Sequence, residues 1–281
     1  MRVHQAIKNL FIFLPLFFAG QIIAHELLHL AFLAFVAFSL AASAVYIFND
    51  MQDVVEDRMH PIKKNRPIAA GLISKRSAMI IMLLLAIFAL SLMYSISVNA
   101  VLILLSYMML NVAYSLYLKK IAILDVLIIA IGFVLRLYVG SVVTAVPLSV
   151  WIVVMTFLLA LFIALAKRRD DVIIYQNTGK QLRSAITAYN LKFLDASLVM
   201  IAAVTIVTYL LYTVSPEITA RLTNNYLYLS TIFVISGLLR YLQITFVEQN
   251  SGSPIKLVFT DRFLQIIILL WLAFFTWVLY R

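Results

Sequence analysis

The sequence lacks cysteine and has few charged residues. None of the 281 residues is cysteine, and Asp, Glu, Lys and Arg together make up 12% of the chain, against about 25% in an ordinary soluble domain. The absence of thiols excludes thiolate catalysis, cysteine-ligated zinc and iron–sulfur clusters. Hydrophobic residues reach 64%, more than one soluble core can bury and more than so few charges can cover. The composition therefore predicts a multi-pass membrane protein and excludes a soluble enzyme, a disordered chain and a disulfide-stapled secreted domain.

Nine apolar runs are long enough to cross a bilayer, which takes roughly 20 residues. They show no period-2 alternation, so they favour helices over a transmembrane barrel. The first run follows Arg2 and Lys8 without a small-residue cleavage pattern, and we expect it to be retained. The sequence predicts an all-α integral membrane protein, with one polytopic membrane domain over residues 1–281. The predicted spans are 9–24, 27–48, 74–95, 98–118, 121–142, 147–166, 193–214, 225–244 and 262–280.

The positive charges predict the orientation of these spans. Eighteen of the 22 lysines and arginines fall in segments on the same side as the N-terminus, and cytoplasmic loops carry such an excess. We therefore expect a multi-pass protein of the plasma (inner) membrane with its N-terminus in the cytoplasm. Two segments on that side, about 49–73 and 167–192, are long and charged. They are the predicted location of the chemistry.

Three aspartates follow the second predicted span. Asp50, Asp53 and Asp57 are spaced i, i+3 and i+7, which places them on one face if the helix continues. One interpretation is a Mg²⁺–diphosphate platform, because Mg²⁺ prefers oxygen ligands and shares one or two carboxylates with substrate phosphates. The other is a solvated helix end. The cations that follow favour the first interpretation, because they can hold phosphate oxygens. They are Arg58, Lys63, Lys64 and Arg66.

The same segment resembles a known family. Asn49-Asp50-x-x-Asp53-x-x-x-Asp57 is similar to the first aspartate-rich motif of the UbiA-type intramembrane prenyltransferases, and the longer string from Tyr46 to Gly71 resembles one branch, the decaprenyl-phosphate phosphoribosyltransferase group. Two positions depart from that branch: Ala6 replaces a tryptophan, and Asp171 stands where glutamate is more usual. Further matching segments are Lys8-Asn9, Asn111 to Asp125, Gly132 to Arg136, Ala166 to Tyr189 and Ser251 to Arg262.

The resemblance implies a fold, a cofactor and a set of site residues. The fold is nine helices in a bundle around a central cavity capped by cytoplasmic loops, and the cofactor is Mg²⁺. The implied catalytic residues are Asp50, Asp53, Asp57 and Asp171. The implied metal ligands are Asn49, Asp50, Asp53 and Asp57. The implied substrate-binding residues are Lys8, Asn9, Tyr46, Arg58, Lys63, Arg66, Tyr114, Lys119, Arg136, Lys167, Arg168, Arg183 and Tyr189.

The activity implied by the resemblance is a Mg²⁺-dependent phosphoribosyl transfer. The donor is phosphoribosyl diphosphate, the acceptor is a polyprenyl phosphate such as a decaprenyl-like lipid, and diphosphate is released. The partners are then these two substrates and membrane lipids, with no nucleic acid. Asp170-Asp171 set among Lys167, Arg168 and Arg169 agrees with a substrate that carries extra phosphate.

Two alternatives remain open. A conventional UbiA-type prenyltransferase would use the same aspartates to ionise a prenyl diphosphate, and an aromatic or other small acceptor would capture the prenyl group. A transporter could bind cations with the acidic cluster. Transport sites usually lie near the bilayer midplane, whereas these acids lie at an inner helix end, which argues against transport.

Charged and histidine residues elsewhere give further expectations. Asp125 and Arg136 are eleven residues apart, close to three helical turns, so they share a face. We expect Arg136 to line the cavity and meet an anion or a buried partner, and Arg240 to snorkel towards the inner surface. The HExxH string at 25–29 resembles a zinc motif. We expect it to be accidental, because it lies at the outer face without a third histidine.

Overall fold

The computed structural model describes residues 3–59, 63–179, 184–220, 226–249 and 254–280, and all regular secondary structure in these segments is helical. The α-helices are α1 Leu14–Phe18, α2 His25–Gln52, α3 Val54–Met59, α4 Lys75–Tyr94, α5 Val98–Leu116, α6 Leu124–Thr144, α7 Val150–Thr178, α8 Leu191–Thr213, α9 Pro216–Thr219, α10 Thr231–Phe246, α11 Pro254–Thr260 and α12 Arg262–Tyr280. Five 3-10 segments are Val3–Phe13, Lys63–Asn65, Leu118–Lys120, Ser184–Ala188 and Leu227–Ser230.

Seven helical stretches are long and apolar enough to cross a membrane. They are α2, α4, α5, α6, α7, α8 and the stretch Leu227–Phe246. The first and last predicted spans correspond to shorter apolar helices, Ala6–Phe18 and Arg262–Val278. The protein is therefore a multi-pass membrane protein, with seven helices of spanning length among the described residues.

Helix α7 extends well beyond the predicted sixth span, 147–166, and this corrects the sequence-based boundary. The apolar run ends where the charges begin at Lys167, but lysine and arginine are good helix formers and the helix continues to Thr178. It ends at Gly179, which adopts φ 66°, a left-handed conformation that glycine reaches without a steric penalty. Residues 167–178 therefore lie on a helix instead of in a loop.

The chain forms two compact units, 1–119 with 132–148, and 120–131 with 149–281. In the first unit, buried alanines line α2, including Ala34, Ala37 and Ala41. Small side chains let helices approach closely without a hydrophobic driving force in lipid. The N-terminal 3-10 helix also packs closely, against Gly140 of α6. A Cβ at position 140 would lie 2.0 Å from the Ile12 carbonyl oxygen, so the packing leaves no space for a side chain there.

The second unit is stabilised by polar contacts between its helices. The Tyr209 hydroxyl on α8 lies 2.6 Å from Ser230 Oγ, and Trp271 Nε1 on α12 donates to Tyr209 at 2.8 Å. The Tyr212 and Phe275 rings stack between the same two helices at a centroid distance of 6.5 Å. Hydrogen bonds of this kind join helices in lipid, where a polar group without a partner is costly.

Candidate functional site

The acidic cluster of the first unit is organised by Arg66. Arg66 Nη1 donates to Asp57 Oδ2 at 2.5 Å and to Asp50 Oδ1 at 3.1 Å. Asp57 is buried, with 2% of its side chain exposed, whereas 13% of Asp50 is exposed. One guanidinium nitrogen thus holds two carboxylates together and offsets their repulsion.

Asp53 belongs to a second group of contacts. Lys119 Nζ donates to Asp53 Oδ1 at 2.6 Å, and Asn49 Nδ2 donates to Asp53 Oδ2 at 3.0 Å. The Asn49 side-chain oxygen in turn accepts from Ser115 Oγ at 3.1 Å. Asn49 therefore connects α2 to α5 and orients Asp53.

The backbone explains why the three aspartates divide in this way. Helix α2 ends at Gln52 and α3 begins at Val54, so the expected single continuous helix is interrupted at Asp53. Asp57 N still donates to Asp53 O at 2.8 Å, which keeps nearly helical spacing across the break. The aspartates stay near one another, but the turn at Asp53 directs its carboxylate to Lys119 and not to Arg66.

The acidic cluster offers oxygen ligands to a divalent cation. Among the residues that the structure describes, no three histidine, cysteine or carboxylate side chains converge to hold a metal by themselves. Mg²⁺ does not require such a cage, since it commonly uses one or two carboxylates and completes its shell with water and phosphate oxygens. Asp50 and Asp57 already share one cationic group, Arg66. The residues therefore fit a cation that is completed by substrate.

The remaining predicted binding residues of the first unit have varied environments. Arg58 is exposed and donates from Nε to the Ala69 carbonyl at 3.1 Å. Lys8, Tyr46 and Tyr114 are partly buried. Lys63 begins a short 3-10 helix, with its side chain outside the described part of the structure.

The second unit contains a buried ion-pair network. Arg168 Nε donates to Asp125 Oδ2 at 2.5 Å, and Arg168 Nη1 donates to Asp171 Oδ2 at 3.0 Å. The Tyr189 hydroxyl donates to Asp125 Oδ1 at 2.6 Å and accepts from the Ile123 amide at 2.7 Å. The structure therefore brings together three predicted site residues, Arg168, Asp171 and Tyr189, around an aspartate that the sequence-based assignment did not include.

Two local features support this network. Ile123 adopts φ 70°, an uncommon left-handed conformation for a β-branched residue, directly before α6 begins. Burial raises the pKa of Tyr189, and its hydrogen bond to Asp125 raises it further. The hydroxyl therefore stays protonated and donates to the carboxylate. A buried acid at the start of an apolar helix requires a basic partner, and this was the signal in the sequence for the role of Asp125.

The other predicted residues of this unit lie around that network. Arg169 donates to Asp195 Oδ1 at 2.6 Å and to the Thr245 carbonyl at 2.7 Å. Lys167 is partly buried. Arg183 lies outside the described residues.

Arg136 meets neutral partners in the first unit. Its side chain is buried and donates to Asn9 Oδ1 at 2.8 Å, to the Gly132 carbonyl at 2.5 Å and to the Tyr107 hydroxyl at 3.2 Å. The rings of Tyr107, Phe38 and Phe133 lie within 5.3 Å of its guanidinium carbon. Of the two alternatives from the sequence, an anion or a buried partner, the structure supplies buried partners.

Arg240, which the sequence predicts to snorkel towards the inner surface, forms two ion pairs. It donates from Nη2 to Asp261 Oδ2 at 2.6 Å and pairs with Glu248 at 2.9 Å. Asp261 Oδ1 also accepts from the Leu264 amide at the start of α12. The hydrogen bond from Arg240 lowers the pKa of Asp261. This cluster joins α10 to α12 and is structural.

The HExxH string occupies the first turn of α2. His25, Glu26 and His29 are all exposed. Within the described segments no further histidine, cysteine or carboxylate joins them to form a group of three. The geometry agrees with an accidental match.

The fold and the acidic cluster define a multi-pass, helical membrane protein. Its carboxylates fit a divalent cation, and Arg66 and Lys119 beside them suit phosphates. Residues 10–267 match the UbiA prenyltransferase family. The chain belongs to this family, as the resemblance in its first aspartate-rich segment indicated.

Curated relatives and solved structures agree with this assignment. The decaprenyl-phosphate phosphoribosyltransferase of Mycolicibacterium smegmatis is 31% identical, with coverage of 97% of this chain and 89% of that protein. Its namesake from Corynebacterium glutamicum is 27% identical, covering 85% and 72%. The structure of a UbiA homologue from Archaeoglobus fulgidus bound to GPP and Mg²⁺ matches with a TM-score of 0.67 at 20% identity, covering 98% of this chain and 100% of that chain. An apo UbiA homologue from Aeropyrum pernix K1 has a TM-score of 0.71 at 15% identity, covering 98% of each.

Proposed function

We propose that the protein transfers a 5-phosphoribosyl group from phosphoribosyl diphosphate to a polyprenyl phosphate and releases diphosphate. The observation that carries this proposal is the similarity of almost the whole chain to relatives named decaprenyl-phosphate phosphoribosyltransferase. The acidic cluster supports it chemically, because carboxylates beside Arg66 and Lys119 suit a diphosphate that arrives with a divalent cation.

The donor diphosphate is assigned to the cluster around Arg66. Asp50 and Asp57 would hold Mg²⁺ together with water and phosphate oxygens, with Asp53 beside them, and the bound ion would supply charge neutralisation for the leaving diphosphate. Arg66 and Lys119 pair with these carboxylates before the donor binds. They are then available to donate to phosphate oxygens, and charge-assisted hydrogen bonds of this type are the strong ones.

The proposed transfer breaks one bond and forms one bond, and it requires no general base. The bond between ribose C1 and the diphosphate oxygen breaks, and its electron pair leaves on the diphosphate. An oxygen of the acceptor phosphate forms the new bond to C1. A phosphate monoester has a second pKa of about 6, so the acceptor is already an anion at neutral pH. We also propose that Asp171 stabilises the positive charge that develops at C1.

Other predicted residues receive roles that follow from their surroundings. We assign substrate-phosphate contacts to the predicted binding residues whose side chains are exposed or only partly buried, and, from the sequence resemblance, to Lys63 and Arg183. Arg168 and Tyr189 are bonded to Asp125, and Asn9 is bonded to Arg136. The buried residues Asn9, Arg136, Arg168 and Tyr189 therefore support the site instead of contacting substrate. The proposed contact residues are Lys8, Tyr46, Arg58, Lys63, Arg66, Tyr114, Lys119, Lys167 and Arg183.

We further propose nine membrane crossings, with the N-terminus and the active site in the cytoplasm and the cytoplasmic loops over a central cavity. The length of the first helix supports a crossing. Val3–Phe13 is a 3-10 helix of 11 residues, which rises about 2.0 Å per residue, and Leu14–Phe18 continues as α-helix. Together they extend about 30 Å, of which the apolar stretch Ala6–Phe18 makes up about 24 Å, compared with about 30 Å for the hydrocarbon core. The 19 residues of α12 extend about 28 Å at 1.5 Å per residue.

The test is a transfer assay with purified protein in lipid nanodiscs. The protein is incubated with Mg²⁺, radiolabelled phosphoribosyl diphosphate and polyprenyl phosphate, and the lipid phase is extracted. We expect label in the lipid and release of one diphosphate for each transferred group. The Asp57→Asn variant is the negative control, since it removes one carboxylate at nearly constant volume.

The same assay separates the proposal from the conventional prenyl transfer. A parallel reaction contains a prenyl diphosphate and a small aromatic acceptor. If prenyl transfer proceeds and the phosphoribosyl donor leaves no label in the lipid, the proposal is wrong. The proposal is supported if phosphoribosyl diphosphate labels the lipid and the reaction with prenyl diphosphate gives no product.

A further inference from the structure

Accessibility increases along the ion-pair network of the second unit. The Asp125 side chain is 0% exposed, Arg168 is 1% exposed and Asp171 is 12% exposed. The most buried member is therefore a carboxylate at one end, and the most accessible member is the proposed catalytic carboxylate at the other. A buried network of this kind can determine where its accessible end is held.

Arg168 transmits the position of one carboxylate to the other. Its Nε and Nη1 atoms bond to different aspartates, Asp125 and Asp171. The guanidinium is planar and its donors form a rigid fork, so two bonds fix the plane and with it the placement of Asp171 Oδ2. Asp125 thereby sets the orientation of an arginine that it also neutralises.

Asp125 is itself held from its other side. Its Oδ1 atom accepts from Tyr189, and the Tyr189 hydroxyl accepts from the Ile123 amide. Both oxygens of Asp125 are therefore bonded, one to an uncharged donor and one to a cation. The carboxylate is therefore held between Tyr189, which precedes α8, and Arg168 on α7.

We infer that Asp125 is a positioning residue that acts through Arg168 to hold the Asp171 carboxylate in its reactive placement. This inference rests on the proposed function, in which Asp171 stabilises charge at ribose C1. A salt bridge that only stabilises helix packing is the competing explanation. The two explanations predict different results. If Asp125 acts only by positioning the Asp171 carboxylate, its replacement has no further effect on kcat once that carboxylate is absent.

The experiment is a double-mutant cycle between Asp125→Asn and Asp171→Asn, measured as kcat and KM for the donor with a radiolabel and long incubations. We expect Asp171→Asn to lower kcat about 100-fold and Asp125→Asn to lower it about 10- to 100-fold, as small misplacements do. KM for the donor should change less than 3-fold. The double variant should be no slower than Asp171→Asn alone.

Asp195→Asn is the matched control. It removes the same charge from a neighbouring but more exposed pair, because Asp195, with 39% of its side chain exposed, bonds at 2.6 Å to Nε of Arg169, the residue after Arg168 on α7. Because the partner of Asp195 is Arg169, the substitution leaves both bonds of Arg168 in place. We expect kcat of Asp195→Asn to be within 2-fold of that of the unmodified protein. Adding Asp171→Asn should lower kcat by the same factor with or without Asp195→Asn.

Tyr189→Phe keeps the test decisive if Asp125→Asn folds poorly in thermal unfolding assays. It removes one bond to Asp125 and leaves both arginine pairs, so we expect a smaller loss in kcat that disappears in the Asp171→Asn background. Multiplicative losses in either cycle, or an unchanged kcat in Asp171→Asn or Tyr189→Phe, overturn the inference. If the unmodified protein transfers no phosphoribosyl group, the proposed function has failed instead, and this result is distinct from an active protein with multiplicative losses.

Discussion

Arg66 shows how a single side chain can prepare an acidic cluster for its ligand. One guanidinium nitrogen lies within hydrogen-bonding distance of Asp50 and Asp57. A buried carboxylate without a partner is costly, so the arginine permits Asp57 to be buried before any metal or donor arrives. The same cationic group then faces a phosphate-bearing donor in the proposed reaction.

At this scale we expect Arg66→Ala to weaken donor binding and to lower stability. A lost charge-assisted hydrogen bond costs about 1.5–3 kcal/mol, which corresponds to roughly a 10- to 150-fold higher Kd for the donor in the presence of Mg²⁺. Binding of labelled donor and thermal unfolding without Mg²⁺ are the measurements. Arg76→Ala is the control, because Arg76 is an exposed arginine at the start of α4. Equal donor affinities for the two variants would remove Arg66 from the binding site.

At the scale of elements, α2 carries two candidate metal motifs at opposite ends. Its first turn holds His25 and His29, and its last turns hold Asn49 and Asp50. Mg²⁺ prefers carboxylate and phosphate oxygens, whereas zinc accepts imidazole readily. The two ends of one helix therefore distinguish the two metals.

We expect the double variant His25→Gln, His29→Gln to keep its activity and bound-metal content, and Asp50→Asn to abolish turnover. EDTA should stop the reaction of the unmodified protein, and added Mg²⁺ should restore it. Metal analysis of the purified proteins and the transfer assay provide the readouts. Stoichiometric zinc that disappears with activity in the histidine variant would place the site at the other end of α2.

The packing of helix α6 against the N-terminal 3-10 helix depends on Gly140. A 3-10 run of 11 residues is unusual, since most such runs have three or four. This run packs so tightly that a Cβ at Gly140 would meet the Ile12 backbone. Backbone atoms cannot move aside as the tip of a flexible side chain can, so the contact admits only glycine.

We therefore expect Gly140→Ala to destabilise the protein by about 1–3 kcal/mol, the usual cost of overpacking. Gly237→Ala on α10 should be neutral or slightly stabilising, because its Cβ would lie at an ordinary 3.7 Å from the Ile267 side chain and alanine favours helices. Thermal unfolding of both variants in nanodiscs measures the difference. Two variants of equal stability would show that the close approach is not required.

At the scale of the whole molecule, the lack of cysteine gives a direct test of topology. Because the natural chain has no thiol, a single introduced cysteine is the only site for a thiol reagent. Ile23 and Ser95 lie at the predicted outer ends of their spans and Leu72 lies in a predicted cytoplasmic segment, and Ile23 and Leu72 are 74% and 79% exposed. These positions flank α1, α2 and α4.

A membrane-impermeant maleimide should label Ile23→Cys and Ser95→Cys in intact cells, and Leu72→Cys only after permeabilisation. The physical reason is the distribution of lysine and arginine, which holds the cation-rich segments in the cytoplasm. Gel shift of the labelled protein is the measurement. Labelling of Leu72→Cys in intact cells, with no labelling of Ser95→Cys, would reverse the orientation. An unlabelled Ile23→Cys would show that the first helix does not cross.

The sequence by itself determined the class of protein, the family and the location of the acidic motif. Composition and run length depend on local chemistry, since lipid requires about 20 apolar residues for each crossing whatever the tertiary contacts are. The spacing from Asn49 to Asp57 was readable for the same reason: it is a local pattern. Asp50 and Asp57 of this motif share Arg66, which follows Asp57 by nine residues.

The tertiary structure decided the partners of the charged residues. Sequence reasoning related Asp125 to Arg136 because they share a helix face, but Asp125 pairs with Arg168, 43 positions away, and Arg136 bonds to Asn9, 127 positions away. Likewise, Asp53 turns to Lys119 instead of Arg66. Helical periodicity specifies which way a side chain faces and not which element lies opposite. In lipid, where water cannot satisfy a buried charge, the element opposite determines what that charge does.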